Sequence, residues 1–519
     1  MANLIINLGT SDISVKVQGE EFFFPVMFNR NEPNDTEDLT DEEIFIWRKD
    51  GTTSYIATYI CPELGIKIES KNNRDTYSFR DLTQELLTRY QQDPDHWHSR
   101  IRPCRVWGVI QDAVQNFAVT KVYFIVTNQP EEEVTGRLSD TVHLFELLKL
   151  WFNREEVAIE FIEKAITFKA IHQDELFNYY YKIFTDIPLS EEILVSIKGG
   201  TNQMQTALKM QAIATGFSKL LFIDPELKVS KFLRGEPSGT KITSFWKYTR
   251  TQRYQNVNLL LERWDFGGAL IVLEDWQRTQ RFLNKNIDDP ELFRNSNIVA
   301  SAVQVLELAC DCLELNQDRM LEIQKNTSKR PREVSTKFLN QIIEYDKLLN
   351  VYTQCLLYWK LNRVANFLYR LSTFYDLVLY QVRVRNNSRG PVLTGDRFQK
   401  RAMIEQYIQG GLRPHWEVIA KYLDQLNFWV TIRNELVHDA RGVVKEGMRL
   451  KFEEQKQYRE ATCQSHEITT VMTKLLQVEN GWLLQKPHYL TDFVDKNRYY
   501  LYAEAHEWVI QKLMTDGLA

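Results

Sequence analysis

The feature that most limits how this chain can fold is a change of hydrophobic period part-way along it. From the N-terminus to about residue 225, short apolar runs alternate with stretches of helical spacing. LIINLG (Leu4–Gly9), KVYFIVTN (Lys121–Asn128), VAIEFIE (157–163), ILVSIKGG (193–200) and KLLFID (219–224) have the length and β-branched content of buried strands. Between them FRDLTQELLTRYQQ, RVWGVIQDAVQNFA, HLFELLKLWF, DELFNYYYKIF and NQMQTALKMQAIATG repeat apolar residues every three or four positions, the last stopping at Gly216. Strands that alternate with helices of this length imply right-handed βαβ units and a mostly parallel sheet.

From about Asn256 the strand signal ends. NVNLLLERWDFGGALIVLEDWQRTQRFL, NIVASAVQVLELACDCLELN and HWEVIAKYLDQLNFWVTIRNELVHDA all have the i, i+3, i+4, i+7 pattern of helices with one buried face. The stretch between the two patterns holds Gly235, Pro237 and Ser238 and is predicted to be a linker or hairpin. The expected organisation is an α/β, Rossmann-like domain over 1–225, a linker or hairpin over 226–255, and an all-α domain over 256–519. A chain of 519 residues has room for two or three such cores.

Composition narrows the partners. With 64 basic and 69 acidic residues the formal charge is −5, which argues against a dominant basic surface while allowing local basic loops. The six cysteines include no CxxC pair, and Cys310 and Cys312 lie on a helical stretch, so reduced thiols in a cytoplasmic protein are expected. The start, MANLIINLGTS, reads as a strand and not as a signal peptide. No uninterrupted apolar run approaches the ~20 residues of a membrane span, so none is expected.

Ligands of such sheets bind beyond the carboxyl ends of the strands. Three polar strand ends qualify: Gly9-Thr10-Ser11, Thr127-Asn128, and Lys198-Gly199-Gly200-Thr201. The last has neither P-loop nor GxGxxG spacing. Its glycines would let the backbone approach a ligand, and the helix that follows offers unpaired N–H groups to an anion. Lys198 adds a charge, while Thr201 and Asn202 add hydrogen-bonding groups. The plainer reading is a glycine turn capped by Thr201 or Asn202 with Lys198 in solvent, and Gly9-Thr10-Ser11 alone could be an ordinary strand-to-loop turn. His96, His98 and His143 lack neighbours at metal-ligand spacing and read as surface or packing residues, so neither metal nor resident cofactor is expected.

In the helical half, TIRNELVHDARG places Arg433, Asn434 and His438 on a helix expected to end by Gly442. Asn434 and His438 share a face at i, i+4, whereas Arg433 lies about 140° round from His438. The negative end of the helix dipole favours a protonated histidine, which suits acid–base work near neutral pH. An arginine suits phosphate binding and the charge of a pentavalent transition state. Together they resemble the parts of a metal-independent ribonuclease in which the RNA 2′-hydroxyl attacks its own phosphate. The alternative is a helix-end histidine capping carbonyls, with Arg433 paired to a carboxylate or in solvent. Two basic stretches, KNTSKRPR (Lys325–Arg332) and RVRNNSRGPVLTGDRFQKR (Arg383–Arg401), could track a phosphate backbone or simply be solvated loops.

A Rossmann-like half with a GGTNQM turn resembles the CARF domain, and a helical half with RNELVH near its C-terminal end resembles the HEPN domain. The chain is thus similar to the CARF–HEPN effector ribonucleases of type III CRISPR systems, the Csm/Csx group. The resemblance implies an endoribonuclease of antiviral defence, switched on by a cyclic oligoadenylate bound across two CARF domains of a homodimer. Cyclic tetra-adenylate is expected in preference to the hexa-adenylate. The paired HEPN domains would then cut single-stranded RNA and leave 2′,3′-cyclic phosphate ends. The family's pocket maps onto Gly9, Thr10, Ser11, Lys198, Gly199, Gly200, Thr201 and Met204, with Asn128 a further contact. Its catalytic motif maps onto Arg433, Asn434 and His438. Whether the CARF domain also degrades its activator stays open. The rival reading is a non-catalytic cyclic-nucleotide sensor whose degenerate HEPN module serves dimerisation.

Overall fold

The computed structural model describes residues 2–27, 39–41, 43, 55–71, 74–226, 228–326, 334–386, 392–408, 412–438, 444–456 and 462–516. For 70–71, 74–75, 434–438, 455–456 and 516 it describes the backbone alone. The chain divides into two compact units, Met1–Arg250 with Arg278–Leu292, and Thr251–Gln277 with Phe293–Ala519.

The first unit is built on a six-stranded sheet. Its strands are β1 (Ala2–Asn7), β2 (Val119–Thr127), β3 (Glu160–Ile166), β4 (Glu192–Ser196), β5 (Leu220–Glu226) and β6 (Gly239–Thr243). Their order across the sheet is β6-β5-β4-β1-β2-β3. The first five pair in parallel; β6 runs antiparallel to β5, with Thr243 opposite Phe222. Every residue of β1 is buried, as a continuous apolar run demands when both faces of a parallel sheet are covered.

Alternation along β1 sends its side chains to two cores. Leu4 and Ile6 join one side, with Phe79, Leu82 and Leu86 of α1 (Phe79–Gln92), Val106 and Ile110 of α2 (Cys104–Phe117), and Leu144 and Trp151 of α3 (Val142–Arg154). Ile5 joins the other, with Leu176 and Tyr180 of α4 (Gln173–Thr185) and Ala207 and Leu208 of α5 (Asn202–Ala214). Two of these helices start where a side chain satisfies an orphan N–H: Ser78 accepts from the Asp81 N–H at α1, and Thr201 from the Met204 N–H at α5. Gly216, in the left-handed region at φ +76°, follows the end of α5.

Two details differ from the sequence expectation. Strand β3 starts at Glu160, after Val157, because the chain leaving α3 spends Glu155 and Glu156 on a turn, with Glu156 at φ +55°. The stretch expected to be a linker or hairpin carries β6, so the sheet continues to Thr243 beyond the expected limit at 225.

The chain lays β2 and β3 on one side of β1 and then crosses to lay β4 and β5 on the other. The winding therefore reverses between β1 and β4. In open α/β sheets the crevice at that reversal is where ligands bind.

From Trp246 onward every described element is helical. In the second unit Lys347–Lys360 and Val364–Arg385 form a helical hairpin that turns through Asn362 at φ +58°. Asp346 caps the first of these by accepting from Leu349 N at 3.0 Å. Two further helices matter for the site, α6 (Arg397–Tyr407) and α7 (Arg413–His438). Helix α7 packs on Val364–Arg385 and on Ile468–Gln477, burying Ile419, Leu423, Leu426 and Trp429. The indole N–H of Trp429 donates to Cys463 O at 2.9 Å. Pro290–Glu314 is long and apolar enough to cross a membrane, but half of its most apolar window is buried, as in a core helix.

Candidate functional site

The turns after β1 and β4 meet at the winding reversal. A Cβ placed on Gly9 would stand 3.0 Å from both Gly199 Cα and Gly200 N. Gly199 has φ +102°, and a Cβ there would lie 2.3 Å from the Asn7 carbonyl oxygen. Glycine is required at these positions because two backbones touch, and at Gly199 also because of its φ. Gly200, at φ +69°, would put a Cβ 2.8 Å from Met204 Cε.

Each turn is fixed from within the protein. The Gly9 N–H donates to Asp12 Oδ2 at 2.7 Å, and Asp12 Oδ1 accepts from Arg105 Nε at 3.0 Å. Arg105, on α2, also donates to the Ser11 hydroxyl. Burial pushes the Asp12 carboxyl above its ordinary value, while the Arg105 charge opposes the shift. Thr201 caps α5 and donates its own hydroxyl to Ala170 O at 2.7 Å. Thr10 and Ser11 are half-buried, and Lys198 is exposed. Across from Lys198 lies Asp224 of β5, whose carboxyl burial pushes up against the lysine's charge. Among the described residues Asp224 Oδ1 has no hydrogen-bond partner.

Met204 and Asn128, also expected to touch a ligand, are engaged within the protein as well. Met204 is wholly buried in the core beneath the Gly200 turn, so its side chain supports the turn and does not face a ligand. Its apolar character and position on the inner side of α5 decide this. Asn128, at the end of β2, is beside the Gly9 turn in the sheet, but its Oδ1 already accepts from Arg80 Nη1 at 3.0 Å. Arg80 is held in turn by the buried Asp140 at 2.7 Å, which also accepts from Gln129 N at 2.8 Å.

The edge so assembled offers two glycine turns, the N-terminus of α5 and one exposed lysine. That set suits a ligand with several phosphates approached closely by backbone. Sequence reading found the turns and missed Asp12, Arg80, Arg105 and Asp224. No local signal marks them: Arg105 and Asp12 are 93 residues apart.

In the second unit α7 runs to His438, which places Asn434 and His438 one turn apart in its last turns. Their side chains lie outside the described ones, as do residues 439–443 with Gly442. Arg433 is half-buried. The basic stretch 383–401 ends in α6, which docks on α7. Arg397 Nε donates to Asn427 Oδ1 at 3.2 Å, and its Nη2 donates to the Thr431 hydroxyl. Arg401 pairs with Asp424 and Glu405, and Lys400 with Asp376 at 3.1 Å. Residues 387–391 of that stretch and 327–332 of the other basic stretch lie outside the described residues.

His98 contacts Glu155 at 2.7 Å and Tyr90 at 2.9 Å, and His96 contacts Arg100 at 2.9 Å, so both have structural partners. Burial, with Arg80 adding to it, holds His143 below the usual imidazole value. Among the described residues no group of three or more His, Cys, Asp or Glu side chains is placed to hold a metal ion.

No family model matches the chain, and no curated protein matches it. Among solved structures it is similar to Enterococcus italicus Csm6 bound to cyclic hexa-2′-fluoro-hexa-dAMP. The identity is 15% and the TM-score 0.46, over 75% of this chain and 94% of that one.

Proposed function

We propose that this chain is a cyclic oligoadenylate-activated endoribonuclease of the CARF–HEPN kind, acting as a homodimer in type III CRISPR antiviral defence. The observation that carries the reading is the contact between the Gly9 and Gly199–Gly200 turns at the winding reversal, with Lys198 exposed beside them. A cyclic oligonucleotide presents phosphates at regular spacing, and this edge offers it the N-terminus of α5 and a cation. Two copies of the edge, related by a two-fold axis, suit a symmetric ring. Cyclic tetra-adenylate remains the proposed activator ahead of the hexa-adenylate.

In the helical unit the RNA 2′-hydroxyl is the nucleophile. His438 takes its proton, the 2′-oxygen bonds to phosphorus, and the bond to the 5′-oxygen breaks as that oxygen takes up a proton. Arg433 holds the phosphoryl oxygens as charge builds on them. The products are a 2′,3′-cyclic phosphate and a 5′-hydroxyl, and no metal-bound water is needed. Arg433 and His438 are five residues apart on one helix, positions about 140° round its axis from each other. A complete site then draws on the motifs of two chains.

His438→Ala and Lys198→Ala test the division of labour. His438→Ala should bind the ring normally and cleave nothing. Cleavage at the wild-type rate by purified His438→Ala protein contradicts the assignment. If wild type binds the ring tightly and cuts no RNA, the chain is a non-catalytic sensor.

A further inference from the structure

We propose that a groove in the second unit is a subsite for the single-stranded RNA substrate, holding an unpaired base and its neighbouring phosphates apart from the scissile one. The inference rests on the ribonuclease reading and adds a binding site to it. The groove lies against the helices Gln317–Lys325 and Val364–Arg385. Its cavity of about 580 Å³ falls in the ~300–1,000 Å³ range of small-molecule sites. None of its lining residues belongs to α7, so it is separate from the Arg433 motif.

Three observations carry it. The first is where the basic stretches meet. Lys325 opens one of them and ends the helix whose Gln324 lines the groove. Arg383 and Arg385 open the other and end the helix whose Tyr380, Gln381 and Arg385 line it. Two cationic segments far apart in the chain thus spring from the walls of one cavity, which no spacing in the sequence indicates.

The second is charge. Lys347 and Arg385 both line the groove, and their hydrogen-bond partners among the described residues are neutral. Lys347 Nζ donates to Gln317 Oε1 at 3.1 Å, and Arg385 Nη2 donates to the Leu484 carbonyl. Neutral acceptors position these groups and leave their charges for phosphate oxygens. The carboxylate in the lining, Asp346, is buried and spends its oxygens on the Leu349 and Gln485 N–H groups at 3.0 and 2.7 Å. Its charge turns phosphate away from that wall and leaves the wall to a neutral base.

The third is the chemistry offered to a base. Tyr380 is 50% exposed, an aromatic ring in solvent on a wall of the cavity. Bases of any sequence stack on such a ring. Gln381 and Gln485 add amide groups, each both donor and acceptor, which match the edges of an unpaired base. An acidic peptide would engage the two cations and leave the ring and the amides unused. Duplex RNA hides its base faces, so a single strand is the form that uses cations, ring and amides together.

The test uses the full chain carrying His438→Ala, so that bound RNA stays whole, with its activating ring and a labelled single-stranded RNA. Tyr380→Ala should weaken RNA binding about tenfold or more with the salt dependence kept. Tyr380→Phe, which keeps the ring, should bind as the parent does. Lys347→Gln and Arg385→Gln should each reduce the slope of log affinity against log salt by about 0.7, and Arg385→Lys should restore it. RNA carrying 4-thiouridine should cross-link on irradiation to the segment 364–385. Undiminished affinity in Tyr380→Ala overturns the inference, as does an unchanged salt slope in both charge variants. If the chain with His438 intact binds RNA in this groove yet cuts none with any ring, the ribonuclease reading fails and the groove stands as an RNA site.

Discussion

Replacing Gly199 by alanine tests whether the two strand-end turns are built to touch. The new Cβ would stand 2.3 Å from the Asn7 carbonyl oxygen and 3.2 Å from Gly9 N. A backbone oxygen inside a parallel ladder cannot swing aside, so the ends of β1 and β4 must part by about 1 Å to restore van der Waals contact. A φ of +102° adds strain for any L side chain. Strain of roughly 1–3 kcal/mol and overpacking of roughly 1–3 kcal/mol give a loss of about 2–6 kcal/mol. Gly216 supplies the control, because its φ is +76° and a Cβ there meets nothing within 4 Å. Gly216→Ala should therefore lose only the backbone term, on the order of 1–2 kcal/mol. Gly200→Ala should fall between them, since its Cβ meets the flexible end of Met204. At about 2–4 °C per kcal/mol for units of this size, thermal unfolding by calorimetry should rank Gly216→Ala, Gly200→Ala and Gly199→Ala in increasing loss. Ring binding should fail in the last. A Gly199→Ala midpoint within about 2 °C of Gly216→Ala would mean that the turns do not press on one another.

Lys198→Ala removes one charge-assisted contact per chain, roughly 1.5–3 kcal/mol; counted twice in a two-fold dimer, ring binding by calorimetric titration should weaken by about a hundredfold or more. The rate at saturating ring should change little, and an unchanged half-activating concentration places the pocket elsewhere. The Arg100–Glu63 pair, bidentate at 2.6 and 2.8 Å, gives a pH test. The hydrogen bond from Arg100 holds the Glu63 carboxyl below its ordinary 4.5, so the pair's stabilisation is present above pH 4.5 and is lost as pH falls through the lowered value. Glu63→Gln should flatten the acid limb of the stability curve, and an identical limb in the variant means that the pair does not contribute to it.

What the sequence made legible follows from where each signal lives. Strands β1, β2 and β4 could be read because a strand covered on both faces must be apolar throughout, and their polar ends then marked the candidate edge. Strand β6 could not, since GTKIT pairs at a sheet edge with every residue partly exposed or exposed and leaves no apolar run. The glycine turns were visible as types, but their mutual contact arises only when β1 and β4 lie side by side. Arg105 and Asp12 meet through the fold across 93 residues, and neither stands out in its own segment. Met204 shows the opposite case: a residue next to the Gly199–Gly200 turn in sequence is, on the inner face of α5, part of the core. In the helical half the basic stretch ending at Arg401 could be seen, while the docking of Arg397 on α7 depends on helix packing that no spacing encodes.

If the proposed function is right, ring binding in one unit switches on RNA cleavage in the other. Mixing the purified chain with labelled single-stranded RNA in EDTA, with and without cyclic tetra-adenylate or cyclic hexa-adenylate, decides whether it does. RNA should stay intact without a ring and be cut with one, leaving 2′,3′-cyclic phosphate ends. RNA that stays intact with every ring, or is cut equally without any, contradicts the coupling.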